Sequence, residues 1–287
     1  MFTATLFLAA LAASPSSTAS QIPPAIYTDP ERHTAHPARM EVLHIPSGDA
    51  QINGVAYLAA GAGPHPTIIL CHGLPGNEKN LDLAQALRRA GWNAITFNYR
   101  GSWGSPGSFR FAQNPEDASA VLAYVRVPAN AEKLGIDTSR LIIAGHSMGG
   151  WAAALTAARD KNLGGVILIS AANMGAVGRL PAETVVGIMA DSMESLAGTT
   201  PAILTEEVKA NAGANDFLRI ANSLVDMPLL VLSSDDGLAP QTDSLVAAVG
   251  EAGGKRVSTV HVATDHSWSD RRIRLQTEIL GWLARLK

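Results

Sequence analysis

A serine, an aspartate and a histidine occur in this chain in an order that is compatible with nucleophilic chemistry. Ser147 lies in Gly-His-Ser-Met-Gly, Asp236 in Ser-Ser-Asp-Asp-Gly, and His266 in Thr-Asp-His-Ser-Trp. A serine hydroxyl is a weak nucleophile at neutral pH, so it needs a neighbouring base, and that base needs a third group to orient it. We predict that His266 is the general base and then the general acid, and that Asp236 fixes its tautomer and stabilises the imidazolium.

The acid and the base each have a rival in the sequence. Asp235 directly precedes Asp236, and a shift of one residue in the end of the preceding strand would exchange the two carboxylates. His261 is a second histidine, but it lies inside a predicted strand, where its side chain would point to a face of the sheet. Catalytic groups more often lie on loops that a rigid scaffold positions, which favours His266. The choice between the two aspartates stays open at this stage.

Two backbone amides are candidates to stabilise a developing oxyanion. The N–H of Met148 follows the nucleophile, and the loop after Cys71 offers the N–H of Leu74. We expect His72 to brace that loop, and His146 to be structural as well. Cys71 ends an apolar run, so we interpret it as a small core residue.

Each predicted triad member follows a predicted strand. Residues 141–144 form an apolar run before Ser147, and the glycines around Ser147 permit a tight turn into the alanine-rich helix that follows. Residues 228–232 precede the two aspartates, and residues 256–262 precede His266. The carboxyl ends of parallel strands lie at one edge of a sheet, where ligands bind in open α/β sheets. The sequence therefore predicts that the three side chains meet at this edge.

Strand and helix patterns alternate through most of the chain, and this alternation predicts a mostly parallel, doubly wound α/β sheet. The first two strand candidates, separated by a Pro-Ser-Gly-Asp turn, predict a hairpin. The remaining candidates are strands at 66–71, 93–99 and 164–170, and helices at 78–90, 115–127, 242–252 and 270–287.

The alternation breaks between residues 171 and 226, where helical signals replace it. Helices are predicted at 201–210 and 216–224, and an apolar stripe precedes them. An all-helical insertion after a strand's carboxyl end is placed to cap the site, although packing accounts for most of its apolar side chains. The stripe consists of Val185, Met189, Met193 and Leu196.

Composition excludes several classes of function. The 287 residues carry a net charge of −3 and are 16% charged, which gives no basic stripe for nucleic acid. A single cysteine excludes an intrachain disulfide and a thiolate metal cluster. His33 and His36 have no third ligand at useful spacing, so we interpret them as loop histidines. No cofactor or metal is predicted, and the expected partner is a small-molecule substrate.

The amino-terminal residues predict export. Residues 1–13 are almost wholly apolar and a Ser-rich stretch follows, as in a signal peptide cleaved near Ala19 or Ser20, although no basic residue precedes Arg32. The apolar run is too short to span a membrane, and no later segment is long enough. We expect a signal peptide at 1–20, an arm at 21–39 and one domain at 40–287, located outside the cytoplasm, or in the cytoplasm if the segment is not a signal.

Five motifs occur in the chain in this order: HGLPG, NYRGSWGSPG, GHSMGG, SSDDGLAP and DHSW. With them the chain resembles the α/β-hydrolase superfamily over about residues 40–287. They match its oxyanion loop, post-strand loop, nucleophile elbow, acid loop and histidine loop in order, and Asp236 stands four residues before Pro240, as the family acid often does. Within the superfamily the chain is most similar to dienelactone-hydrolase-like esterases and to prolyl-oligopeptidase-type peptidases.

These observations favour hydrolysis of a small carboxylic ester through an acyl-serine intermediate. A first alternative is cleavage of short peptides or amides, which would require a group that holds the substrate's amino terminus. Glu206 and Glu207 are candidates for that role, although two solvated charges on a helix are the simpler interpretation. A second alternative is a binding module that keeps the fold without catalysis, which the complete set of triad and oxyanion residues disfavours. A serine at the elbow disfavours hydrolases with an aspartate nucleophile.

Overall fold

A computed structural model describes residues 21–286. Within them one sheet of eight strands runs in the order β1-β2-β4-β3-β5-β6-β7-β8. The hairpin pair β1–β2 and the pair β2–β4 are antiparallel, and every other neighbouring pair is parallel. The strands are β1 Arg39–Ser47, β2 Ala50–Leu58, β3 His65–Cys71, β4 Asn93–Phe97, β5 Ile136–His146, β6 Gly165–Ile169, β7 Leu229–Ser234 and β8 Val257–Val262.

Helices cover both faces of this sheet. The strands β4 and β6 are buried at every residue, because crossover helices lie on either side of them. Each fully buried Leu or Ile in such a core contributes about 1.5–3 kcal/mol relative to leaving it exposed. The mostly parallel α/β-hydrolase architecture is confirmed. The crossover and terminal helices are α1 Leu81–Arg89, α2 Asn114–Arg126, α3 Pro128–Leu134, α4 Met148–Arg159, α8 Ala239–Glu251 and α9 Arg272–Arg285.

The helical insertion predicted after β6 is present. It contains α5 Met174–Gly178, α6 Ala182–Ala190 and α7 Pro201–Ala210, and the last of these begins and ends as predicted. The segment Phe217–Leu224 is a 3₁₀ helix, not an α-helix. Val185 and Met189 are fully buried, and Met193 and Leu196 pack against the same core. The side chains of the predicted apolar stripe therefore pack in the hydrophobic core.

Two elements differ from the sequence-based prediction. The strand predicted at 141–144 extends back to Ile136, since its polar amino-terminal half continues the strand beside β3, where Ile136 pairs with His65. Helix α3 was not predicted as a separate element. It begins because Pro128 holds Val127 in an extended conformation, which ends α2 and opens a new helix.

The arm predicted at 21–39 lies against the domain in its first part. Arg89 of α1 donates hydrogen bonds to the carbonyls of Ala25 and Ile26, at 2.6 and 3.1 Å. The predicted signal peptide, with cleavage near Ala19 or Ser20, concerns residues 1–20, which lie outside the described residues. No helix within residues 21–286 is long and apolar enough to cross a membrane.

Candidate active site

Ser147 occupies the turn between β5 and α4 in a strained backbone conformation. Its φ of 56° and ψ of −126° are unusual for a residue with a side chain. Backbone hydrogen bonds maintain the strain: its N–H donates to Ile169 at 3.0 Å, and its carbonyl accepts from Gly150 at 2.9 Å and from Ala172 at 3.1 Å. The elbow predicted from Gly-x-Ser-x-Gly is therefore built by the ends of β5 and β6 and the start of α4.

The close approach of α4 to the sheet requires glycine after the nucleophile. A Cβ atom added to Gly149 would lie 2.2 Å from the carbonyl oxygen of Cys71 and 2.4 Å from that of His72. Those atoms belong to the end of β3 and the loop after it, which cannot move aside as a flexible side chain can. Gly149 thus lets the first turn of α4 pack directly on the strand that leads into the predicted oxyanion loop.

His266 and Asp236 form a hydrogen-bonded pair in the turns after β8 and β7. His266 Nδ1 donates to Asp236 Oδ2 at 2.7 Å, and the Leu238 N–H donates to Oδ1 at 2.9 Å. Burial acts to raise the pKa of Asp236, but the hydrogen bonds from His266 and Leu238 outweigh it and lower that pKa below its ordinary value. The carboxylate therefore stays ionised and orients the imidazole of His266 through Nδ1. The other ring nitrogen, Nε2, takes no part in this hydrogen bond.

The rival aspartate and the rival histidine pair with each other. His261 Nε2 lies 3.0 Å from Asp235 Oδ1, and His261 Nδ1 lies 3.0 Å from Ser233 Oγ. Both members of this pair are more than half exposed, on the edge strand β8 and the turn beside it. The structure thus brings Asp236, and not Asp235, to His266, an assignment that the sequence left open.

His146 packs beneath the predicted base. Its Nε2 donates to the carbonyl of His266 at 2.8 Å, and the centres of the two rings are 4.6 Å apart. Burial, followed by repulsion from His266, lowers the pKa of His146 from its ordinary 6.5 to about 4. A neutral His146 therefore holds the backbone of His266 without adding a charge near it.

The loop after β3 passes directly beside Ser147. A Cβ atom on Gly73 would lie 2.9 Å from Ser147 Cβ and 3.5 Å from its Oγ. Gly73, Leu74, Ser147 and His266 line one cavity of about 180 Å³. The structure therefore places Ser147 and His266 on one cavity.

His72 and Tyr99 support the start of this loop. His72 Nδ1 donates to the Gly73 carbonyl at 2.8 Å, and Tyr99 Oη donates to the His72 carbonyl at 3.3 Å. Burial lowers the pKa of His72 from its ordinary 6.5 to about 4, so it is neutral at pH 7. Cys71, which precedes it, is buried, and that burial raises the pKa of its thiol to about 12. These contacts agree with the expectation that His72 braces the loop and that Cys71 is a core residue.

Met148, the other predicted oxyanion residue, begins α4 and has a buried side chain. Asn114 Nδ2 donates to its Sδ at 3.2 Å, which anchors the residue from α2. The sequence predicts Asn114 as the N-cap before Pro115, but Asn114 is the first residue of α2 and Gln113 is the N-cap. No sequence pattern indicated the contact of Asn114 with Met148. The side chain of Met148 thus faces the core, and its backbone lies next to Ser147.

Trp268 is a supporting residue that sequence reasoning included in a motif without giving it a role. It is fully buried and its Nε1 donates to Ser170 Oγ at 3.0 Å, which in turn lies 2.8 Å from Ser234 Oγ. This chain of hydrogen bonds ties the histidine loop to the ends of β6 and β7.

In the part of the chain that the structure describes, no group of three His, Cys, Asp or Glu side chains is arranged to hold a metal.

Comparisons with known proteins agree with this architecture. AidA, a quorum-quenching protein of Acinetobacter baumannii strain MDR-ZJ06, is 32% identical over 127 residues, which are 42% of this chain and 40% of that protein. The chain thus matches about two fifths of that relative's length.

Two solved structures have the same fold. A thermostable carboxylesterase cloned from a metagenomic library has 21% identity and a TM-score of 0.64 over 88% of this chain and 91% of that chain. The acylaminoacyl peptidase of Pyrococcus horikoshii has 16% identity and a TM-score of 0.66 over 87% of this chain and 42% of that chain. At these identities the likeness concerns the fold alone.

The family model described as "Serine aminopeptidase, S33" matches residues 62–216, more than half of the chain. The matched region begins just before β3 and ends in the helical insertion, so it contains the elbow and the loop after β3. The resemblance to α/β-hydrolases is therefore confirmed, and the chain belongs to the serine aminopeptidase S33 family of that superfamily.

Proposed function

We propose that the protein is a serine hydrolase that cleaves small carboxylic esters through an acyl-serine intermediate. The observation that supports this most is the strained Ser147 on one cavity with His266, whose Nδ1 is hydrogen-bonded to the ionised Asp236. Hydrolase activity of a broad kind agrees with the family. The ester substrate, the triad and the oxyanion groups are our proposal.

In the proposed mechanism His266 Nε2 accepts the proton of the Ser147 hydroxyl as its oxygen attacks the ester carbonyl. The N–H groups of Met148 and Leu74 stabilise the oxyanion that forms. The bond between the carbonyl carbon and the alkoxide oxygen then breaks as His266 donates the proton to that oxygen, so that the alcohol departs and the acyl group stays on Ser147. Water, deprotonated by the same histidine, attacks the acyl group and releases the acid and Ser147.

The decisive experiment is a burst assay with p-nitrophenyl acetate on the wild type and on Ser147→Ala. We expect a burst of p-nitrophenol equal to the enzyme concentration in the wild type, and covalent labelling by a serine-directed phosphonate. Both should disappear in the variant, whose turnover should fall by about 10⁴-fold or more, since it lacks the nucleophile. A folded wild type with neither burst nor labelling would contradict the proposal and favour a binding module.

Cleavage of short peptides or amides is the second candidate, and the family model supports it because its description names an aminopeptidase. The glutamates considered for binding an amino terminus do not form a free pair. Glu207 Oε1 accepts the Ala112 N–H at 2.9 Å, while Glu206 is exposed on α7. Comparing matched acetyl esters and aminoacyl p-nitroanilides on the same preparation separates the two candidates.

The relative AidA is named a quorum-quenching protein, so quorum signals are further substrates to test.

A further inference from the structure

The loop at residues 73–79, which follows β3, has little backbone support of its own. None of these residues, all of them within the described part of the chain, takes part in a backbone-to-backbone hydrogen bond. Yet the loop carries Leu74, and Gly73 passes within contact distance of Ser147. A catalytic donor must be held within about 0.5 Å of its working position, so other groups must hold this loop.

Two side chains from distant parts of the chain donate to one carbonyl of this loop. Trp103 Nε1 donates to the Pro75 carbonyl at 2.6 Å, and Ser195 Oγ donates to the same oxygen at 3.0 Å. A carbonyl oxygen accepts two hydrogen bonds, so both acceptor positions of Pro75 are occupied. Pro75 follows Leu74 directly in the chain and has no N–H of its own.

The segments that carry these donors are joined to each other by backbone hydrogen bonds. Trp103 N–H donates to the Ser195 carbonyl at 2.9 Å, Ala197 N–H donates to Gly101 at 2.8 Å, and Phe109 N–H donates to Ala197 at 2.9 Å. Ser195 and Ala197 belong to the helical insertion, whereas the other three residues belong to the loop after β4. The insertion and the loop therefore present Trp103 and Ser195 as one unit.

This unit is anchored and partly strained. Arg100 donates from Nε to the fully buried Asp117 at 2.6 Å and from Nη2 to Glu116 at 2.7 Å, which fixes the loop to α2. Trp103 itself has a φ of 47°, in the left-handed region that a tryptophan rarely adopts. Lys79 Nζ lies 4.2 Å from the centre of its ring, a cation–π contact with the far end of the loop.

We propose that Trp103 and Ser195 are positioning residues that hold the 73–79 loop, and with it the Leu74 N–H, against Ser147. The catalytic part of this inference depends on the proposed function. It gives the helical insertion a role in forming the oxyanion site through Ser195, in addition to covering the domain. Neither side chain needs to touch the substrate, because each acts through the Pro75 carbonyl.

The test uses Trp103→Phe and Ser195→Ala, each of which removes a donor and keeps most of the packing. With p-nitrophenyl acetate we expect the rate of the acylation burst to fall about tenfold or more in each, because a small displacement of a catalytic group has a large effect on rate. The dissociation constant of the ester, taken from the dependence of the burst rate on substrate concentration, should change by less than about twofold, since binding of the ground-state ester does not depend on the oxyanion donor. Ser195→Thr keeps the hydroxyl and should keep most of the rate.

Matched controls make the same chemical changes elsewhere. Ser244 Oγ donates to the Pro240 carbonyl at 2.8 Å on the exposed side of α8, so Ser244→Ala also removes a serine bond to a proline carbonyl. Trp92→Phe shortens a partly buried tryptophan that packs against the core to which α1 and α9 contribute. We expect neither control to change the burst rate. Acylation within twofold of the wild type in both Trp103→Phe and Ser195→Ala would overturn the proposal.

Limited proteolysis with trypsin, which cleaves after Lys79 in this loop, gives a readout that does not depend on turnover. Cleavage after Lys79 should be about tenfold faster in Trp103→Phe and Ser195→Ala than in the wild type and the controls, because a loop that loses a restraint is open to the protease more often. Unchanged cleavage would overturn the proposal even if the wild type showed no burst. A wild type without a burst but with faster cleavage in both variants would contradict the proposed function and support the positioning role.

Discussion

Two adjacent carboxylates, Asp235 and Asp236, have different environments although they share one turn. The side chain of Asp236 is 4% exposed and accepts from His266, whereas that of Asp235 is 62% exposed and pairs with His261 in solvent. An exposed ion pair contributes little, because water screens it and both side chains lose rotamer freedom. A buried carboxylate beside an imidazole that becomes protonated has a much larger effect on the reaction.

This contrast predicts different effects for the same substitution at neighbouring positions. Asp236→Asn should lower kcat for p-nitrophenyl acetate by about 10³-fold or more, since a neutral amide neither fixes the tautomer of His266 nor stabilises its charge. Asp235→Asn, the matched control, should change kcat by less than about twofold. Steady-state kinetics on both folded variants checks this. Equal losses, or a larger loss for Asp235→Asn, would refute the assignment of the acid.

At the scale of elements, the site depends on how closely α4 approaches the sheet. The helix begins immediately after Ser147, and its second residue, Gly149, faces the backbone of Cys71 and His72 at the end of β3. The same contact joins the elbow to the start of the loop that carries Leu74. The packing of α4 on β3 therefore sets the distance between the nucleophile and one predicted oxyanion donor.

Gly149→Ala should destabilise the protein by about 2 kcal/mol or more, because its Cβ would overlap backbone atoms and separate α4 from β3. Gly187→Ala in α6 is the control, since a Cβ atom there meets nothing within 4 Å. That change should stabilise the protein by about 0.5–1 kcal/mol, as expected for alanine in a helix. Urea unfolding of both variants measures the two free energies. A Gly149→Ala variant as stable as the wild type would show that α4 can move away from β3 without cost.

At the scale of the whole molecule, two buried neutral histidines make stability depend on pH. His72 and His146 both have pKa values lowered from 6.5 to about 4 by burial. The unfolded chain binds protons at these histidines more readily than the folded chain does, so the free energy of unfolding decreases as pH falls from about 6.5 to about 4. Above that range both states are neutral at these positions, and below it the loss is complete.

Between pH 7 and pH 5 each of these histidines should lower the free energy of unfolding by about 2 kcal/mol. His146→Asn should therefore reduce the difference in stability between the two pH values by about 2 kcal/mol, whatever its effect at pH 7. His44→Asn, which replaces an exposed histidine of β1, should leave the difference unchanged. Urea unfolding at both pH values gives the comparison. An equal pH dependence in His146→Asn and the wild type would contradict the lowered pKa of His146.

Much of this molecule follows from local patterns in the sequence. Apolar runs bounded by turns predicted the strands, and the glycines around Ser147 predicted the elbow, because strand burial and tight turns depend on nearby residues. The positions of Asp236 and His266 after their strands were predicted for the same reason. The family resemblance, confirmed by the match at 62–216, also rests on such motifs.

The tertiary structure decided what depends on contacts between distant residues. It paired Asp236 with His266, because the turn after β7 buries one of two adjacent carboxylates and exposes the other. It also brought Ser195 to Pro75 across 120 residues of sequence, a contact for which no periodicity or spacing gives a signal. Sequence patterns report the local conformation and burial of a segment, whereas hydrogen bonds between loops depend on how the whole sheet places their ends.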